Sequence, residues 1–151
     1  MAVKRTPEQE EVVKNRGGAL LVSAAAGSGK TRVLVERLMD YILQEGRNID
    51  EFLIITFTRA AAEELRARIA KEIAEALAAQ PDHAHLRQQT VRLYETQIST
   101  IHAFCTVLLR QWGHLLDIPG DFALCEDEEA QVLMTRTLNQ VLEARYEEID
   151  P

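Results

Sequence analysis

Eight consecutive residues have the types and spacing of a phosphate-binding loop: Ala24, Ala25, Ala26, Gly27, Ser28, Gly29, Lys30 and Thr31. Gly27 and Gly29 permit backbone conformations in which successive N–H groups point at an anion. Lys30 can reach the terminal phosphates of a nucleotide, and the Thr31 hydroxyl can bind the Mg²⁺ that accompanies it. The alternative is a plain glycine-rich turn, since Ala24 stands where the general pattern has glycine.

The segments around this loop fit a strand and two helices. An apolar run predicts a short buried strand over residues 19–23, and apolar spacing predicts an amphipathic helix after the loop that Gly46 ends. The N-terminus of this helix adds its dipole to the phosphate site. Further upstream, Thr6 as N-cap, Pro7 at the first helical position and Gln9 at the capping-box position predict the start of another helix.

Downstream of the loop, strands alternate with helices. We predict strands over 52–57 and 97–100, separated by a long helix and a polar helix over about 85–95. Amphipathic helices from Ile101 and from about Asp127 follow, the last with its apolar face directed inward. Such alternation predicts a parallel sheet that is covered on both faces.

Composition sets limits on the class of protein. The chain has 151 residues, 46% of them apolar, and a formal net charge of −7, which argues against a protein that coats nucleic acid with its whole surface. It contains neither a run of 18 apolar residues nor an N-terminal signal pattern. Cys105 and Cys125 suit a reducing cytosol, and we expect both to be small core residues.

Four segments occur in a specific order: Thr6 to Gln9, Ala24 to Thr31, Ile55 to Leu65 and Thr100 to Cys105. Together they resemble the N-terminal part of UvrD-like superfamily-one DNA helicases, through the Q motif and motifs I, Ia and Ib of that family. Alanine at the first loop position is usual there. Residues 22–31 and 120–124 are most similar to the A subunits of helicase–nucleases of the AddAB type.

The resemblance implies a fold and a domain organisation. The fold would be of the α/β class, a P-loop NTPase (RecA-like) domain with a parallel sheet and helices on both faces. Residues 1–118 would form part of this first RecA-like domain, and residues 119–151 would start a helical insertion.

The resemblance also implies the nucleotide contacts, with ATP and Mg²⁺ as the ligands. Residues 24–31 would cradle the phosphates, with Lys30 and Thr31 as the catalytic residues and Thr31 as the metal ligand. Gln9 would hydrogen-bond the adenine edge, since a carboxamide offers both a donor and an acceptor, or would act only in the capping box. Arg32 would lie near the nucleotide or be an exposed helix residue.

Five residues would contact DNA in the same comparison: Phe57, Thr58, Arg59, Thr100 and His102. Phe57 ends a strand and would stack on a base, although the sequence alone favours a core phenylalanine. Thr58 and Arg59 would bind a backbone phosphate, with a plain N-cap as the alternative for Thr58.

Several other polar residues are expected to have structural roles and to take no part in a binding site. We expect the two histidines at positions 83 and 85 to be loop residues, and Arg66, Arg68 and Lys71 to form the solvated side of a helix.

ATP hydrolysis needs an acidic residue at the end of an apolar strand. Asp50 precedes a predicted strand, and Asp127 is better explained as a helix start. We therefore expect the chain to be a fragment with little activity alone. The resemblance implies that the parent protein is a cytoplasmic DNA helicase or translocase that moves 3′ to 5′ in recombinational repair. Expected partners are single- or double-stranded DNA and a second, AddB-like subunit, with no membrane. A nucleotide-gated binding switch and, more weakly, a small-molecule kinase are the alternatives.

Overall fold

The computed structural model describes residues 5–25 and 27–149, so that Ala26 of the predicted loop lies outside the described residues. The first elements are helix α1 (Pro7–Lys14) and helix α2 (Lys30–Glu45). The predicted start of α1 is confirmed, because the Thr6 hydroxyl accepts from the Gln9 N–H and the Gln9 side chain accepts from the Thr6 N–H. Helix α2 lies between Gly29, with φ of 87°, and Gly46, with φ of 65°. Both conformations are left-handed and suit glycine, so the two glycines set the limits of this helix.

Two strands and two helices follow α2. A 3-10 helix (Ile49–Glu51) leads into strand β1 (Ile54–Thr56), helix α3 (Arg59–Ala79), helix α4 (Ala84–Arg92) and strand β2 (Ile98–Thr100). The strands are parallel, as predicted, with Ile54 opposite Ile98 and Thr56 opposite Thr100. Within the described residues the sheet has these two strands.

The main core lies where α2, α3 and α4 meet the strand pair. Its central side chains are almost fully buried: Leu38, Ile42, Ile49, Ile54, Leu65, Ile69, Ile73, Leu86 and Ile98. Three of these, Leu65, Ile69 and Ile73, recur every four residues along α3, as the apolar spacing predicted. The position of the strand ends is therefore fixed from one side by α3.

The remaining elements are helix α5 (Ile101–Trp112), a 3-10 helix (Gly113–Leu116) and helix α6 (Asp127–Ile149). The chain divides into two compact units between Thr106 and Val107. The domain boundary expected after residue 118 stays a prediction. No helix in the described part of the chain is both long and apolar enough to cross a bilayer.

Two predictions about the sheet are not borne out. Residues 19–23 form no strand, and Leu21 is 94% exposed. A strand exists only when a neighbour pairs with its backbone, and the apolar run by itself does not provide one. Leu53 and Ile55 are also exposed, so the described residues cover one face of the strand pair and not both.

Expectations of burial also fail in the later part of the chain. The apolar residues of α6, such as Leu133 and Leu138, are exposed rather than directed inward. Cys105 and Cys125 are exposed free cysteines and not core residues. Helical spacing fixes which side chains share a face, but it does not supply a partner for that face.

Candidate nucleotide cleft and strand-end edge

A cleft of about 870 Å³ lies between α1, the phosphate-binding loop and the start of α2. Gln9 and Val12 line it from α1, Ser28 and Lys30 from the loop and its end, and Arg37 from α2. Clefts of about 300–1,000 Å³ are typical of small-molecule sites. The cleft is therefore large enough for a nucleotide, and polar side chains form part of its lining.

Two glycines of the predicted loop have left-handed backbone conformations. Gly27 has φ of 76° and Gly29 has φ of 87°. The Ser28 N–H donates to the Ala25 carbonyl at 3.3 Å, which tightens the turn. The N–H groups in the first turn of α2 have no acceptor inside the helix, and Thr31 lies exposed in this turn. The arrangement can bind phosphate oxygens and offers one hard oxygen ligand to Mg²⁺.

Lys30 turns its side chain back onto the loop. Its Nζ donates to the carbonyl oxygens of Ala24 at 2.5 Å and Ala25 at 2.7 Å. The ammonium is therefore hydrogen-bonded to the segment that is predicted to hold the phosphates.

Gln9 contacts both its own helix start and the loop. Its Oε1 accepts from the Thr6 N–H at 3.1 Å, and its Nε2 donates to the Ser28 carbonyl at 3.3 Å. The capping-box role is thus confirmed, while adenine recognition stays a prediction. The two bonds hold the carboxamide at the rim of the cleft, next to the glycine turn.

Arg32 and Arg37 lie in the first half of α2, and Arg37 lines the cleft. The half-buried Arg32 pairs through its Nε with the Glu36 carboxylate at 3.0 Å, and its place near the nucleotide stays a prediction. Arg37, which the sequence reasoning did not single out, donates to the Val12 carbonyl and to the Tyr41 hydroxyl. In the sequence, the (i, i+4) spacing of Arg37 and Tyr41 indicates that these two side chains can contact each other on the surface of α2.

A second group of predicted residues lies at the carboxyl ends of the two strands. Because Thr56 and Thr100 are register partners at the last strand positions, the chain leaves both strands at the same edge of the sheet. We call residues 57–59 and 100–102 the strand-end edge. Ligands of open parallel sheets bind at such edges.

Residues 57–59 form the first half of this edge. Phe57 is fully exposed, so it is not part of the core that the described residues form. The Thr58 hydroxyl accepts from the Ala61 N–H at 3.1 Å, which confirms the N-cap role, and Arg59 begins α3 with an exposed side chain. An exposed ring beside a helix N-terminus and a cation can bind a base and a phosphate.

The second half of the edge is built in a similar way. Thr100 ends β2, and its hydroxyl accepts from the Ala103 N–H at 3.3 Å. His102 is exposed in the first turn of α5. The five predicted contact residues therefore share one edge of the sheet, and their contacts with DNA stay predictions.

The expected roles of two other polar residues need correction. His83 is a loop residue, as expected, and caps α4 by accepting from the Leu86 N–H at 3.3 Å, whereas His85 lies within α4 and is not a loop residue. Arg66 is partly buried and donates to three backbone carbonyls instead of lying in solvent. These contacts reach across 27 to 32 residues, and no local pattern signals them.

The acidic candidates lie away from the strand ends. Asp50 belongs to the 3-10 helix before β1 and pairs with Arg92 at 2.6 Å, while Asp127 is the first residue of α6. Next to Asp50, a hydrogen bond from the Asn48 N–H and the nearby Arg47 hold the pKa of Glu51 below its ordinary value. Neither described strand is followed directly by a carboxylate.

Comparison with known proteins agrees with this geometry. Residues 5–151 match the family described as UvrD/REP helicase N-terminal domain. The chain is 46% identical over 145 residues to the A subunit of the ATP-dependent helicase/nuclease of Lachnoclostridium phytofermentans, covering 95% of this chain and 10% of that protein. It is 42% identical over 151 residues to the corresponding protein of Oceanobacillus iheyensis, covering 99% and 12%. The corresponding protein of Staphylococcus saprophyticus is 41% identical over 146 residues, which cover 97% of this chain and 12% of that protein.

The described part of the chain combines helices with a small parallel two-stranded sheet, as a helicase N-terminal domain does. This chain belongs to the UvrD/REP helicase N-terminal domain family. It spans about a tenth of the length of these curated relatives.

Proposed function

We propose that this chain is the ATP-binding part of an ATP-dependent DNA helicase or translocase that moves 3′ to 5′. The observation that carries the proposal is the parallel register of β1 and β2, since it brings all five predicted DNA contacts to one edge. The same core supports α2, whose N-terminus carries the phosphate-binding loop. Membership of the helicase family and the names of the relatives support the same conclusion.

ATP binds in the cleft with its triphosphate in the loop of residues 24–31. Lys30 exchanges its carbonyl partners for phosphate oxygens, and Thr31 provides a ligand for Mg²⁺. Bound Mg²⁺ neutralises phosphate charge and orients the phosphate oxygens. Gln9 is already held against the loop and presents its carboxamide to the adenine edge.

Single-stranded DNA binds along the strand-end edge. Phe57 stacks on a base, while Arg59 and the N-terminus of α3 bind a backbone phosphate. Thr100 and His102 hold the next part of the strand. Closing and reopening of the nucleotide cleft against a second motor domain moves the strand along this edge.

The biological role follows from the relatives. We propose an AddA-like helicase–nuclease protein that works in the cytoplasm with a second, AddB-like subunit on double-stranded DNA ends, in double-strand-break repair and recombination. The names of the curated relatives support the helicase–nuclease assignment, and the match to them extends over nearly the whole chain.

Unwinding of a duplex with a 3′ single-stranded tail, by the full-length gene product, tests the proposal. We expect DNA-stimulated ATP hydrolysis and unwinding, both abolished by Lys30→Ala. Lys71→Ala is the matched control, because this lysine is exposed on α3 and pairs only weakly with Glu75 at 3.7 Å. Hydrolysis without any response to DNA would overturn the proposal.

A nucleotide-gated DNA- or protein-binding switch is the second candidate. It is favoured by the lack of a carboxylate directly after either described strand. DNA or protein binding that depends on ATP, without unwinding, would select this candidate. We expect the 151-residue chain alone to hydrolyse little ATP. A DNA-stimulated ATPase from the chain alone, lost in Lys30→Ala, would contradict that expectation.

A further inference from the structure

Arg66 joins α3 to the chain that leads into β2. Its guanidinium donates to the carbonyl oxygens of Leu93 at 2.5 Å, Thr96 at 3.0 Å and Ile98 at 3.3 Å. All three acceptors belong to residues 93–98, between the end of α4 and the start of β2. The planar guanidinium has its donors in a fixed fork, so it sets the direction as well as the distance of these bonds.

The two elements that Arg66 joins are those that carry the strand-end edge. Helix α3 begins with Thr58 as its N-cap and Arg59 as its first residue, about two turns before Arg66. Strand β2 ends at Thr100 and opens directly into the first turn of α5. The Arg66 side chain therefore connects the two elements, so that a displacement of one half of the edge is transmitted to the other half.

We propose that Arg66 is a positioning residue that couples the two halves of the strand-end edge, so that they bind a DNA strand as one unit. The inference rests on the proposed function of that edge. Arg66 acts through the backbone of residues 93–98 and does not itself touch the DNA.

The other contacts between the two halves do not replace this coupling. The ladder between β1 and β2 pairs only three residues of each strand. Leu65 and Ile69 pack beside Ile98 in the core, but apolar contacts are not directional and allow small rotations. Arg66 adds three further directional hydrogen bonds to the few of the short ladder.

The other cations in the middle of α3 are bound differently. Arg68 pairs with Glu64 at 2.5 Å, and Lys71 pairs with Glu75 at 3.7 Å, both as exposed (i, i+4) pairs on the helix surface. Such pairs stay within one helix and join it to nothing else. Arg68 is therefore a matched control, with the same side chain on the same helix but without the contacts to residues 93–98.

A double-mutant cycle on DNA affinity tests the proposal in the full-length gene product. Binding of a fluorescent oligo(dT) of about 16 nucleotides is measured by anisotropy at one salt concentration. The cycle combines Arg59→Ala with His102→Ala, first in the native background and then with Arg66→Lys or Arg68→Lys.

We expect the native and Arg68→Lys backgrounds to show non-additive losses. The double variant should bind at least about threefold more tightly than the two single losses would predict by addition. With Arg66→Lys the losses should be additive, and this change alone should weaken DNA binding roughly 2- to 30-fold. The affinity for ATP should stay the same in all backgrounds.

The outcomes separate this proposal from the proposed function. If neither Arg59→Ala nor His102→Ala weakens oligonucleotide binding, the edge does not bind DNA and the proposed function fails. If both weaken it but their non-additivity persists with Arg66→Lys, the coupling role of Arg66 is refuted.

A second measurement needs no variant. Hydrogen exchange of the native protein should slow in residues 93–98 when oligo(dT) binds, although these residues do not contact the oligonucleotide. Unchanged exchange in that segment, with protection at the edge, would also refute the proposal.

Discussion

Replacing Phe57 with alanine separates base stacking from structural support at the strand-end edge. The side chain is fully exposed, so its removal opens no cavity, and we expect the free energy of unfolding to change by less than about 0.5 kcal/mol. A phenylalanine in a core would lose about 3–5 kcal/mol on the same change. The changes in the free energy of unfolding that the two interpretations predict therefore differ by several times the error of a denaturation experiment.

The loss of stacking sets the effect on DNA affinity. A base stacked on an aromatic side chain contributes about 1–3 kcal/mol, which corresponds to roughly 5- to 150-fold in the dissociation constant. Fluorescence anisotropy with oligo(dT) and urea denaturation, both on the full-length gene product, measure the two quantities.

Tyr146→Ala is the control for this experiment, because Tyr146 is also an exposed aromatic residue but belongs to α6 and not to the strand-end edge or residues 93–98. Its replacement should leave DNA affinity unchanged. Equal losses of DNA affinity in the two variants, or a loss of stability in Phe57→Ala, would refute the assignment of Phe57 to DNA stacking.

Three further predictions concern the cleft, the pH dependence and the core. Gln9→Glu should keep the acceptor for the Thr6 N–H but lose the amide donor. We therefore expect weaker discrimination between ATP and GTP and a nearly unchanged melting temperature. Unchanged discrimination would leave Gln9 with its capping role alone. Because the folded state lowers the pKa of Glu51, the carboxylate stabilises the fold above its ordinary pKa of about 4.3, and this contribution is lost as the pH falls through the folded value. Urea midpoints of native and Glu51→Gln protein should therefore converge as the pH is lowered from about 6 to about 3, and parallel curves would contradict the reasoning. Ile69→Ala should destabilise the fold by about 2–5 kcal/mol in urea denaturation, since this side chain is fully buried, and a change below about 1 kcal/mol would show that α3 does not pack as described.

The features that were predictable from sequence are set by neighbouring residues. The start of α1 depends on Thr6 and Gln9, three positions apart, and the limits of α2 depend on glycines in left-handed conformations. Parallel pairing of the strands was also predictable, because a strand–helix–strand order leaves few other arrangements. The shared strand-end edge follows from that pairing.

The features that were not predictable depend on distant partners. Whether residues 19–23 form a strand depends on a neighbouring backbone, and whether the apolar face of α6 is covered depends on another element. Arg66 has the same local surroundings as a solvated helix arginine, and its acceptors lie 27 to 32 residues along the chain. The exposure of Phe57 likewise depends on which elements pack at the end of β1, and the residues next to it in sequence do not indicate this.

The ammonium of Lys30 donates hydrogen bonds to two backbone oxygens of its own loop. Capture of a triphosphate is consequently a ligand exchange at the ammonium, and its measured affinity is the difference between two sets of bonds. A titration that compares the native protein with Lys30→Met therefore reports less than the full strength of the lysine–phosphate contact. Nucleotides with fewer phosphates should lose less affinity than the full lysine–phosphate contact would predict, because they leave the lysine on its carbonyl partners.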